Sequence, residues 1–100
     1  MAEPRIDLER VERDWTARGY TFGRFTDLPG REWKDYAHST DEVMMVVEGE
    51  VEVELAGRKF TARPGEEINI PAGEPHSIRN VGPSVARWIN GYKRMLRGGG

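Results

Sequence analysis

One hundred residues carry 15 lysines and arginines against 17 aspartates and glutamates, a formal net charge of -2, which fits one domain with a mixed surface. No basic cluster dominates a predicted face, which argues against nucleic acid as a partner, and the absence of cysteine excludes disulfides and thiolate ligands. No apolar run approaches the length of a membrane span, and the first ten residues lack the apolar core of a signal peptide, so residence in the cytoplasm is expected.

Asp7 is placed to cap a short amphipathic helix in which Leu8, Val11 and Trp15 recur at helical spacing, with Gly19 just past its end. A strand is predicted from Tyr20 to Thr26, followed by the turn Asp27-Leu28-Pro29-Gly30. The next strand puts Lys34, Tyr36 and His38 on one face, because side chains two apart point the same way. After the polar turn Ser39-Thr40-Asp41, the strand E-V-M-M-V-V-E begins at Glu42 and sets Glu42, Met44 and Val46 on a common face. Gly49 breaks that run.

Val51 to Leu55 alternates strictly, with Glu52 and Glu54 on the solvated side. Ala56-Gly57 forms a hairpin to a strand from Lys59 to Ala62, and Pro64-Gly65 turns the chain again. A short strand carrying Ile68 and Ile70 stops at Pro71, turns through Ala72 and Gly73, and presents His76 as the following strand begins. After the turn Val81-Gly82-Pro83, the segment from Ser84 to Lys93 reads as a long last strand with Trp88 or Ile89 inward, and the glycine-ended tail has no reason to order. Short strands at turn-marked spacing imply an antiparallel two-sheet roll.

Two stretches carry a family resemblance. Gly30, His38, Glu42 and Gly49, then Gly65, Pro71, Gly73, His76 and Asn80, fall on the fixed positions of G-x5-H-x-H-x3-4-E-x6-G and G-x5-P-x-G-x2-H-x3-N. The chain therefore resembles a small single-domain cupin. It departs at one position, where Tyr36 stands in place of the first histidine. The resemblance implies an all-β cupin barrel, the double-stranded β-helix or jelly roll, with the α-helix outside it: residues 1–19 helical, 20–93 barrel and 94–100 tail.

It also implies that His38, Glu42 and His76 bind a divalent metal. Two imidazoles and one carboxylate suit iron(II) with open positions, and manganese, nickel, zinc or copper accept the same donors. Tyr36 is expected not to ligate a divalent ion but to line the open side and donate to substrate, with Met44, Val46 and Trp88 making the pocket partly apolar. As an enzyme, such a chain would handle a small molecule in the dioxygenase manner, or assist isomerisation or decarboxylation; as a binding module it would hold a ligand or metal without turnover. A homodimer is expected, since the helix stripe and exposed strand edges need covering.

Overall fold

The computed structural model describes residues 6–94, and within that span not the side chains of Lys34, Asp35 and Tyr36. Helix α1 runs Leu8–Ala17, with Asp7 capping it by accepting the Arg10 amide at 3.2 Å. Eight strands follow: β1 Gly23–Asp27, β2 Glu32–Tyr36, β3 Glu42–Glu48, β4 Val51–Leu55, β5 Arg58–Ala62, β6 Glu67–Ile70, β7 His76–Asn80 and β8 Ala86–Tyr92. They form two four-stranded antiparallel sheets in the orders β1-β8-β3-β6 and β2-β7-β4-β5. The strand expected from Tyr20 begins at Gly23 instead, because Tyr20 makes only an isolated bridge to Lys93.

Strand β3 explains why five consecutive residues, Glu42 to Val46, are buried. Met44 and Val46 point between the sheets, where they meet Val51, Val53, Ile68, Ile70, Ile78 and Trp88. Val43 and Met45 point to the opposite side and meet Ile89, Tyr20 and Trp15 of α1. The helix thus covers the outer face of one sheet, and each aliphatic side chain so buried stabilises the fold by about 1.5–3 kcal/mol. The Trp15 indole donates to Glu67 at 3.0 Å, and the Arg18 guanidinium reaches both Glu67 oxygens at 2.9 Å, fastening the end of α1 to β6. That guanidinium holds the Glu67 carboxyl below the ordinary carboxylate range.

The turn residues do their expected work. Ala56 and Gly57 both adopt positive φ, 52° and 76°, as a two-residue hairpin demands, and the register sets Glu54 against Lys59 and Glu52 against Arg79. Asn80, buried at the end of β7, donates to the carbonyls of Asp27 and Ser84 and accepts the Gly82 amide, so this residue of the second motif clamps two loops.

Candidate metal centre

The site is assembled by backbone ties between turns far apart in sequence. The Gly73 amide donates to the His38 carbonyl at 2.7 Å, the Ala72 amide to the Asp41 carboxylate at 2.8 Å, and the Lys93 amide to the Asp41 carbonyl at 2.8 Å. The turn before β3, the turn before β7 and the end of β8 therefore meet at one end of the roll. The β3 register places Glu42 opposite Ile70 on one side and Tyr92 on the other, while His76 faces Leu55 of β4 and Tyr36 of β2.

His38, Glu42 and His76 converge there, their ligand atoms all within 4.8 Å of one another. Glu42 Oε1 lies 3.5 Å from His38 Nε2 and 3.3 Å from His76 Nε2. Two donors each about 2.1 Å from one ion stand about 3.0–3.4 Å apart at octahedral to tetrahedral angles, so these separations suit a shared cation. Glu42 is 2% exposed, and its Oε1 is the one buried side-chain oxygen or nitrogen among the described residues with no hydrogen-bond partner. A carboxylate oxygen so placed is costly unless a cation or a proton donor meets it.

His76 is prepared for the same task. Its Nδ1 lies 3.1 Å from the Glu74 carbonyl, which selects the tautomer protonated at Nδ1 and leaves the Nε2 lone pair toward Glu42. The Glu42 carboxylate raises the His76 pKa above the ordinary histidine value, and the Glu74 carbonyl adds to this, against burial, which lowers it. A proton and a metal ion thus compete for one nitrogen.

The cavity beside these groups has a volume of about 100 Å³ and is lined by Phe25, Trp33, Ile78, Trp88, Asn90 and Tyr92 together with His38, Glu42 and His76. Phe25 stacks on Trp88 with ring centroids 6.1 Å apart. Trp88 was expected here from the sequence. Met44 and Val46 were expected too, but both are fully buried in the core between the sheets and do not line the cavity. They share the inward face of β3 with Glu42 but lie further along the strand, in the cluster that also holds Val51 and Val53 of the facing sheet. The backbone of Tyr36 pairs with His76, while its side chain, expected at the open side, lies outside the described residues.

Asn90 and Tyr92 escaped the sequence reading. The signal was present: Trp88, Asn90 and Tyr92 are two apart on one strand, so an inward Trp88 carries the other two with it. The strand can approach so closely because of Gly91, whose missing side chain leaves room for the Thr21 carbonyl.

The two antiparallel sheets form a jelly-roll barrel that encloses a histidine and carboxylate cluster. The family described as Cupin domain matches residues 23–92, and the chain belongs to that family. The chain is 37% identical over 62 residues to "Polyketide synthase CurC" of Streptomyces cyaneus, a match that spans 61% of this chain and 40% of that protein. Among solved structures, an oxalate oxidase in complex with the substrate analogue glycolate superposes with a TM-score of 0.71 at 27% identity, covering 81% of this chain and 45% of that one. The polyketide cyclase RemF of Streptomyces resistomycificus superposes with a TM-score of 0.65 at 27% identity, covering 73% of this chain and 53% of that one. The chain thus corresponds to about half or less of each of these relatives. Among the described residues no helix is long and apolar enough to cross a membrane.

Proposed function

We propose that this chain is a metal-dependent enzyme acting on a small molecule with two neighbouring oxygens and an aromatic or apolar body, of polyketide type. The observation that carries this reading is the convergence of His38, Glu42 and His76 on one wall of a cavity whose other walls include Phe25, Trp33, Ile78 and Trp88. A divalent ion held by the two imidazoles and Oε1, iron(II) by preference of the donor set, would act as a Lewis acid toward substrate oxygens. A cavity of about 100 Å³ leaves room for a chelating head group beside His38, Glu42 and His76. The rest of such a ligand would lie along Phe25, which is 39% exposed. The aromatic wall would exclude water from the head group and orient a flat body by stacking. The likeness to proteins named for polyketide synthesis and cyclisation supports this substrate class, since polyketide chains carry pairs of carbonyls one carbon apart.

Ring closure through the enol of such a dicarbonyl is the reaction this substrate class favours. The two-histidine, one-carboxylate set favours a second reading, dioxygenation with iron(II). Both are tested by loading the protein separately with zinc and iron(II) and offering heptane-2,4,6-trione, whose enol can attack the far carbonyl to close a six-membered ring with loss of one water, together with acetylacetone and simple phenols under air and under nitrogen. Loss of water without oxygen uptake, with either metal, supports cyclisation; oxygen uptake with iron alone supports dioxygenation. Tight binding with no product under any condition would overturn the enzymatic reading in favour of a binding module.

A further inference from the structure

Asn90 occupies a position that neither sequence motif covers. It is 8% exposed, on the inward face of β8, and its Nδ2 donates both to Glu42 Oε2 at 3.2 Å and to the Tyr92 hydroxyl at 3.1 Å. A side-chain amide has two N–H donors, so both are matched by these two acceptors. The orientation follows from chemistry, because a carboxylate oxygen accepts and the amide oxygen cannot serve it. Glu42 is thereby held with Oε2 engaged and Oε1 presented to the two histidines. Tyr92 is held as well: its ring meets His38 edge-on at 4.7 Å, its hydroxyl lies 3.5 Å from His38 Nε2, and its backbone amide donates to Thr21 Oγ1 at 2.9 Å.

We propose that Asn90 is the positioning residue of this centre: it makes Glu42 a one-oxygen ligand and, through the same amide, pins the Tyr92 phenol beside His38 at the edge of the cavity. This rests on the metal reading of His38, Glu42 and His76. A carboxylate free at both oxygens can chelate one ion with both, occupying a position otherwise left for substrate. With Asn90 in place that second oxygen is committed, and the position stays open. Tyr92 then contributes a phenol oxygen at a fixed place on the cavity wall, where a bound oxygenated ligand meets it.

The test uses the metal-free chain titrated with cobalt(II), followed by its visible absorption, with a chromogenic chelator competing to report affinity. The wild-type chain is expected to take up one equivalent. Asn90→Leu, which keeps the branched four-atom shape without the amide, is expected to bind cobalt at least about tenfold more weakly, as changes to groups that hold metal ligands commonly do, and to show an altered band as the second Glu42 oxygen joins the ion. Tyr92→Phe is expected to keep the wild-type band with affinity within a few-fold. If Asn90→Leu fails to fold, Asn90→Thr, which suits a strand and cannot make both bonds, carries the same expectation. A purely packing role would lower the melting temperature of the metal-free variant and leave the cobalt band where it was, and that result would overturn the proposal. A wild-type chain that takes up no cobalt would instead overturn the metal reading itself, so the two failures are distinguishable.

Discussion

The inward face of β3 carries Glu42, Met44 and Val46 in strict alternation, and all three are buried, yet the two ends of that face do opposite things. Around Met44 and Val46 the neighbours are aliphatic, and the packing needs no partner beyond close contact. Around Glu42 the neighbours are two imidazoles, an amide and a phenol, and one carboxylate oxygen is left without a hydrogen bond. Burial is equal at the two ends while the energetics differ in sign: the aliphatic end stabilises the metal-free fold, and the acidic end stabilises it only when something positive arrives. A barrel of this size can accommodate one such end because the other, together with the helix-covered outer face, holds the sheets together.

The comparison is broken most severely by removing a ligand. His76→Ala should weaken divalent-metal affinity by about a thousandfold or more, roughly 4 kcal/mol at 1.4 kcal/mol per tenfold, while leaving the aliphatic end in place. Competition with a chromogenic chelator measures it, and an unchanged affinity would remove His76 from the centre.

On the other side of the same sheet, Trp15→Ala should cost about 3 kcal/mol of stability, because Trp15 is fully buried against Val43, Met45 and Ile89. Urea unfolding reads this loss directly. Metal stoichiometry measured below the transition should stay at one, since the packing of α1 is remote from Glu42 on β3's other face. A proportional loss of metal binding in the folded protein would mean that the two faces are not independent.

A smaller effect, of opposite sign, tests the claim about the acidic end. Glu42→Gln removes the buried charge while its amide oxygen can still accept from Asn90 and its N–H can donate to the His76 Nε2 lone pair, so it should raise the stability of the metal-free chain by about 1 kcal/mol while sharply weakening metal uptake. Denaturant midpoints at pH 8 with a chelator present would show it, and a lower midpoint than wild type would refute the claim that Glu42 is a liability without its cation.

The mildest perturbation is pH. Because the folded chain raises the His76 pKa above its unfolded value, chiefly through Glu42, the stability this contributes is fully present below the ordinary histidine value of about 6.5. It is lost as pH rises through the raised folded value. In metal-free protein, stability should therefore decline across that window in wild type and not in His76→Gln, and in the presence of metal the trend should reverse as deprotonated His76 becomes a ligand. Unfolding midpoints taken at half-unit intervals of pH would resolve the two slopes.

Much of this was legible along the chain. The turns at Ala56-Gly57 and Pro71 to Gly73 and the capped helix with its Trp15 stripe depend on local conformational preference and on alternation, which act over a few residues, and the spacing of His38, Glu42 and His76 was legible through the resemblance to the cupin motifs. The strand expected from Tyr20 was misplaced because its pairing is with Lys93, at the far end of the sequence. Met44 and Val46 were assigned to the pocket on the strength of sharing a face with Glu42, and alternation fixes the face without fixing the depth. That depth is set by the facing sheet, whose Val51 and Val53 on β4 join the same buried cluster.

Local chemistry by itself therefore determined which strands exist and where they turn, while His38, Glu42 and His76 were singled out by the resemblance to the cupin motifs. Only the tertiary structure decided what surrounds them. Asn90 and Tyr92 come to the Glu42 carboxylate and His38 through the pairing of β8 with β3. Phe25 and Trp33 reach the cavity through β1 and β2, on opposite sheets. These contacts link residues tens of positions apart, and their physical cause is the register of hydrogen-bonded strands, a property of the assembled sheets that no short stretch of sequence contains.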